Sequence, residues 1–307
     1  MRVLAAGTNR ALGCPAMLRP ATRVDVRKVM EQERAEFARL LRSLTEEDRD
    51  KATVCEGWTV GDLAVHLLGD DLSFLSRNRD ARRNEDLDSP GGPGSAGPQE
   101  EDWDRFVDQL DAHNDRWVRA GGFLSTRLVA ELLEFTGRTV AEFLESVDSS
   151  APGEVVSWAG PDPAPWWLVG AREFTERWVH HQQIRDALGQ PGLNGPSFVA
   201  PILATAMHGV PRAYEGVEAP EGTTIAIDVT GRAGFSWAVR RDSDGWKLYE
   251  GLTREATSRL SVDQETAWRF LMGMKGAAET RRKVTVEGDA SLAKPFFGAV
   301  SAIVRRT

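Results

Sequence analysis

Up to about residue 190 the apolar residues recur at helical spacing in one long stretch after another. In VDVRKVMEQERAEFARLLRSL (24–44), Val26, Met30, Phe37, Leu41 and Leu44 fall on one face with charged residues between them. EGWTVGDLAVHLLGDDLSFL (56–75) starts a second helix at Thr59. Asp62 follows three residues later, a capping-box pattern in which Asp replaces the usual Glu. EDWDRFVDQLDAHNDRWV (101–118) and TRLVAELLEFTGRTVAEFLESV (126–147) repeat the helical pattern. The turn-rich SSAPGEVVSWAGPDPAP (149–165) then leads to a helix containing TERWVHHQQIRDALG (175–189), which ends at Gly189 ahead of Pro191. Amphipathic helices in such succession point to an antiparallel bundle. Between them, the Gly/Pro/Ser/acid segment 84–101 has no periodicity and reads as a mobile loop.

The pattern changes after GQPGLNGP (189–196). TTIAIDVTG (223–231) and FSWAVRRDSDGWKLYEG (235–251) are β-branched and aromatic runs, and RDSDG supplies hairpin chemistry. DQETAWRFLMGM (263–274) and the terminal ASLAKPFFGAVSAIV (290–304) read as helices, with RKVTVEG (282–288) as a strand between them. The expected fold is α + α/β. A loose leader, 1–22, precedes an antiparallel bundle over 23–192 and a small α/β domain over 198–307.

Charge and composition exclude several classes. Residues 1–194 carry 23 Lys/Arg against 33 Asp/Glu, and 195–307 carry 15 against 13. An acidic first part lacks the basic stripe that a nucleic-acid binder needs. No apolar run is long enough to span a bilayer, so no membrane insertion is expected. The opening MRVLAAGTNRALGCPAM interrupts with Arg and Asn the apolar stretch a signal peptide requires, and Met17 and Met30 are alternative starts. Two cysteines, Cys14 and Cys55, cannot build a disulfide framework, which fits a cytoplasmic location.

Five histidines occur in the chain, and two are adjacent in TERWVHHQQIRDALG. Residues i and i+4 of a helix share a face, with Cβ atoms about 6 Å apart. Glu176 and His180 have that spacing, whereas His181 is turned away by about 100° and has Arg177 four residues before it. Glu-x3-His offers one oxygen and one nitrogen to a divalent ion. Taken alone, such a pair is more often a solvated helix face. His66 adds weight, because it lies among Val65, Leu67 and Leu68 in an apolar helix. A lone histidine there is usually a hydrogen-bonded core residue, but bundles build metal sites from inward side chains on facing helices. His66, Glu176 and His180 would leave coordination positions open, the mark of a catalytic metal.

GWTVGDLAVHLL, followed about 110 residues later by EFTERWVHHQQIRDALG, resembles the mycothiol-dependent maleylpyruvate isomerase family of the DinB-like superfamily. The resemblance covers roughly 24–190, and the remainder is similar to that family's sterol-carrier-like C-terminal domain. It implies a four-helix bundle whose metal, usually zinc, is held by His66 on the second helix and by Glu176 and His180 on the fourth. It further implies mycothiol as cosubstrate. The thiol's pKa is lowered at the metal, and the thiolate adds to an electrophile. The partners are then a small-molecule thiol and an electrophilic substrate, and the reaction is either cis-trans isomerisation or S-transfer. The family's isomerase also relies on an Arg of the C-terminal domain; this chain has eleven there, none in a motif that assigns the role. The Arg-rich, Lys-poor composition (32 against 6) is compatible with an actinobacterial source of mycothiol.

The remaining candidates have ordinary readings. Cys55 reads as a small buried filler rather than a reactive thiol or extra ligand. Asp62 and Asp70 flank His66 at i−4 and i+4 and either orient its ring or serve as cap and solvated charge. Trp58 and Trp178 read as core anchors, with pocket lining as the alternative, His113, His181 and His208 as structural or solvated, and Arg240–Arg241 as a solvated hairpin edge. The rival class is a non-catalytic module that binds a metal or an apolar ligand.

Overall fold

The computed structural model describes residues 18–84, 87, 92–95, 97, 98 and 102–302. Residues 1–17 of the expected leader, with Cys14, lie outside the described residues, as does most of the 84–101 loop. The end of the leader is not loose. Arg19–Pro20 forms a short strand, β1, and Thr22 donates from both N and Oγ1 to Glu250 Oε1, at 3.0 and 2.8 Å. Those contacts satisfy an otherwise open sheet edge, which is why residues without any strand pattern become ordered there.

The helices come first: α1 (Arg27–Ser43), the single-turn α2 (Glu46–Arg49), α3 (Val60–Asn78), α4 (Trp103–Gly121) and α5 (Thr126–Ser146). The segment read as a turn-rich connection forms a two-stranded hairpin, β2 (Pro152–Val155) and β3 (Pro163–Pro165). After it comes α6 (Trp166–Ala187), then α7 (Pro196–Met207). The capping box of α3 forms as expected: Thr59 Oγ1 accepts from Asp62 N and Asp62 Oδ2 accepts from Thr59 N. Helices α1, α3, α5 and α6 pack on one another, and α4 lies against α3. Leu41, Leu63, Leu67, Leu68, Val129 and Ile184 fill their core.

The second part is a six-stranded sheet. Strands β4 (Thr224–Thr230), β5 (Ser236–Asp242), β6 (Gly245–Glu250), β7 (Ser258–Asp263) and β8 (Thr285–Gly288) join β1 in the order β1-β6-β5-β4-β7-β8. Only β4 and β7 run parallel; the other pairs are antiparallel. The predicted hairpin closes at Asp242 and Gly245, whose φ of 142° suits glycine alone. With helices first and a mainly antiparallel sheet after, the chain is α+β, not α/β. Short helices α8 (Gln264–Leu271), α9 (Ala277–Arg281) and α10 (Ala290–Ala293) complete it. The long terminal helix expected from ASLAKPFFGAVSAIV stops at Ala293. Pro295 cannot donate to the preceding turn, and Pro295–Gly298 continues as a 3-10 turn.

α6 sets the geometry of the whole molecule. Phe174 and Trp178, one turn apart, enter a core shared with α7, β4, β7 and α8, where Trp178 meets Trp268 edge-on with centroids 4.8 Å apart. Ile184 faces the helical core, and Leu168 and Val169 a third cluster against the β2–β3 hairpin. A helix buried on several sides has little freedom to rotate. The stripe it leaves over, Glu173, Glu176, His180 and Gln183, faces a cleft.

Candidate metal centre

The cleft has a volume of about 1020 Å³ and lies between α3, α4 and α6, with Met272, Ser301 and Ala302 of the C-terminal part on its border. From α3 it receives His66, Asp70, Ser73 and Arg77, again one helical stripe. Gly69 belongs to that stripe because the Trp117 ring from α4 sits directly on it. A Cβ there would lie 2.3 Å from Trp117 Nε1, which donates to the Val65 carbonyl at 2.7 Å.

His66, Glu176 and His180 converge on the cleft. One ligand atom from each lies within 4.8 Å of the others. His180 Nε2 is 2.9 Å from Glu176 Oε1, and His66 Nε2 is 3.7 Å from the same oxygen. The two imidazoles meet edge-on with centroids 4.9 Å apart. Asp70 Oδ2 stands 3.3 Å from His66 Nε2 but makes no hydrogen bond, and the buried His66 Nδ1 also lacks a partner. Two carboxylates and two imidazoles with an orphaned buried oxygen form a donor set that fits a divalent cation.

The electrostatics agree. Burial opposes the charged form of His180, yet the Glu176 carboxylate raises its pKa well above that of an ordinary histidine. Burial would raise Glu176, but His180 and His66 hold it well below its usual range. Asp70 is pushed up by burial and by Glu176, against the pull of His66 and His180. Glu176 and His180 thus each favour the other's charged form.

The neighbouring candidates separate cleanly. His181 is fully buried on the other side of α6, with Nδ1 2.8 Å from Glu33 Oε1, while Arg185 Nε donates to its Nε2 at 2.9 Å. It is structural. His208 packs against Trp167, and burial lowers its pKa. Trp178 is a core anchor; Trp58 packs partly buried against the helical core and also lines the cleft, its ring 4.9 Å from that of His66 and its Nε1 donating to Asp115 Oδ1 at 2.8 Å. Cys55 is half-buried, packing against the helical core and also lining the cleft, and its Sγ donates to Gln183 Oε1 at 3.2 Å. Arg240 lies over Tyr249 and pairs with Asp242 at the hairpin edge. Among the described residues no C-terminal Arg lines the cleft; its arginines are Arg77, Arg82, Arg83, Arg116 and Arg172. Gln183 and Glu173 were missed in the sequence, although both continue the Glu176–His180 stripe.

The family model of the mycothiol maleylpyruvate isomerase N-terminal domain matches residues 30–185, half of the chain and the part that contains all three converging residues. The chain belongs to this family. Membership in the mycothiol maleylpyruvate isomerase family places it among enzymes. Among solved structures, the mycothiol-dependent maleylpyruvate isomerase shares 13% identity, covering 86% of this chain and 92% of that one, with a TM-score of 0.47. A mutant of that isomerase gives 12% identity, the same coverage and the same TM-score. Sterol Carrier Protein 2 from Yarrowia lipolytica, in its apo form, shares 15% identity over 35% of this chain and 91% of its own, with a TM-score of 0.26. No match is found among curated proteins. No helix of the described residues is long and apolar enough to cross a membrane.

Proposed function

We propose that this member of the family is a metal-dependent enzyme that takes mycothiol as cosubstrate and joins its sulfur, transiently or permanently, to an electrophile. The observation that carries the reading is the convergence of His66, Glu176 and His180 within 4.8 Å at a cleft large enough for a thiol and a second substrate. Helices α1, α3, α5 and α6 are read as the four-helix bundle that holds this site, and residues 198–307 as a second domain on its border. Two nitrogens and one oxygen with open positions suit zinc best. Such an ion supplies a position at which a thiol is ionised near neutral pH.

The chain's own residues do the rest. His66 and His180 present their imidazoles to one point, and Glu176 balances the charge between them. Trp58 covers one side of His66 and Trp117 closes the wall beside Gly69, which keeps water from part of the cleft. Met272, also in the cleft lining, adds an apolar surface for the electrophile. In the isomerase form of the reaction the thiol adds to a conjugated double bond, the bond rotates and the thiol leaves. In the S-transferase form the sulfur stays on the product. The two are told apart by following free mycothiol: isomerisation conserves it, and transfer consumes it.

The test compares metal-loaded wild type with His66→Ala across a panel of electrophiles. Turnover that requires both metal and mycothiol, and that His66→Ala lacks, supports the reading. Equal turnover by both proteins would take the three residues out of the chemistry. Tight binding of an apolar ligand with no turnover would favour a binding module.

A further inference from the structure

Gln183 is 8% exposed and stands one turn beyond His180 on α6. Its side-chain oxygen is shared. Oε1 lies 2.6 Å from His180 Nδ1 and accepts from Cys55 Sγ at 3.2 Å. Cys55 comes from the segment before α3, 128 residues away in the sequence, so the contact ties the entry to α3 to the middle of α6. An amide oxygen only accepts. His180 must therefore carry a proton on Nδ1, which leaves Nε2 as the atom that meets Glu176. Had the amide nitrogen faced the ring instead, it would have forced the opposite tautomer on it.

We propose that Gln183 is the positioning residue of the metal centre. It fixes the orientation of His180 and keeps one proton on Nδ1, so that Nε2, facing Glu176 Oε1 and His66, is the nitrogen that gives up its proton when an ion binds, and Cys55 holds the amide in place through the second lone pair. This rests on the metal reading above and adds to it a residue that touches neither metal nor substrate. His66 has no equivalent, since its Nδ1 is buried without a partner. The burden of pre-orienting the site thus falls on the α6 side. A hydrogen bond that orients a ligating imidazole is typically worth 10- to 100-fold in metal affinity.

The experiment titrates the full-length, metal-free protein with zinc against a chromophoric chelator, and with cobalt followed by its ligand-field absorption. Wild type should bind one ion. Gln183→Leu, which keeps the volume but not the acceptor, should bind about 10- to 100-fold more weakly, with an altered cobalt spectrum. Gln183→Glu restores an acceptor and should bind at least as tightly as wild type. Cys55→Ala should retain the wild-type spectrum, because the thiol supports the amide and is not a ligand. Metal-free melting curves separate this role from a general loss of packing. If Gln183→Leu does not fold, Gln183→Glu decides alone, and weaker binding there overturns the proposal. Wild-type affinity and spectrum in Gln183→Leu would also overturn it while leaving the metal site intact. A wild type that takes up no ion removes the metal site and this inference together.

Discussion

Glu176 and His180 stand one turn apart on α6 with Oε1 and Nε2 separated by 2.9 Å, a contact that favours the charged form of each. Glu176 is held ionised by the two histidines, and His180 is held protonated mainly by Glu176. Without metal, a proton fills the position that a cation would take. Metal must displace that proton, so affinity should fall as pH falls, and more steeply than for ligands with ordinary histidine pKa values. Zinc affinity measured across the range around neutrality checks this. A flat profile would show that no proton is exchanged at His180.

His180→Ala should abolish stoichiometric metal binding, whereas His181→Ala should leave it unchanged. The second substitution has a different cost. It strands the Glu33 carboxylate in the core with Arg185 displaced, and an unpaired buried charge of that kind costs about 3 kcal/mol or more. Metal analysis and thermal unfolding of both variants separate the two roles. Equal metal loss in the two would reject the assignment.

Glu154 joins three elements beside the cleft. Its carboxylate pairs with Arg77 Nε of α3 at 2.9 Å and with Arg172 Nη2 of α6 at 2.8 Å, and it accepts from Gly92 N at 3.0 Å. Burial would raise its pKa, but the two guanidinium groups hold it far below its ordinary value of 4.5. A depressed carboxylate stabilises fully above its unfolded pKa, and that contribution declines as pH falls below about 4.5. Glu154→Gln should cost about 1–3 kcal/mol at neutral pH, since Arg77 loses its carboxylate while Arg172, partly exposed, keeps Glu173. Its unfolding free energy should also be flatter than that of wild type below pH 4.5. Parallel acid profiles would show that the network contributes nothing.

The helical half was legible because each long helix buries one stripe, and a stripe leaves a 3.6-residue period. α7 escaped for the opposite reason: Val199, Ile202, Leu203, Ala206 and Met207 are all buried, Pro201 lies inside it, and no polar face marks its period. β1 has two residues and no pattern; only the open edge of β6 makes it a strand. β7 was not among the expected strands either: of its inward residues Ser258, Leu260 and Val262 only two are apolar, too short an alternation to stand out. At the site, the Glu176–His180 pair is local and visible in sequence. The Gln183 bridge is not, because its meaning depends on a cysteine brought in from another part of the chain. Trp58 read first as core, and it does pack there, but nothing local shows that its other side lines the cleft.

The proposed units, 23–192 and 198–307, share a core. Val26, just before α1, Met30 of α1 and Phe174 and Trp178 of α6 pack in one cluster with Ile225, Leu260 and Trp268. Trp178→Ala should cost about 3–5 kcal/mol through lost burial and the cavity left behind. Expressed alone, residues 23–192 should keep helical circular dichroism but expose that apolar face, bind a hydrophobic dye and melt below the full chain. A fragment as stable as the full chain, with no dye binding, would show that the shared core contributes little to the bundle.

Gly69→Ala sets two effects of known size against each other. In a helix interior, replacing Gly with Ala gains about 1 kcal/mol from backbone entropy. Here, however, the new methyl would fall 2.3 Å from Trp117 Nε1 and 2.5 Å from Cδ1, well inside contact distance. The indole cannot simply swing away, because its N–H donates to the Val65 carbonyl at 2.7 Å, and moving it breaks that bond. Overpacking of a fixed ring costs about 1–3 kcal/mol, and the broken hydrogen bond adds about 1 kcal/mol. The clash should win, with a net destabilisation of about 1–3 kcal/mol. Trp117 forms the cleft wall beside His66, so its displacement should also weaken cosubstrate binding more than metal binding. Unfolding measurements, zinc titration and the Michaelis constant for mycothiol on the same variant test the three statements. A stabilised Gly69→Ala protein with an unchanged Michaelis constant would show that the indole has room to yield.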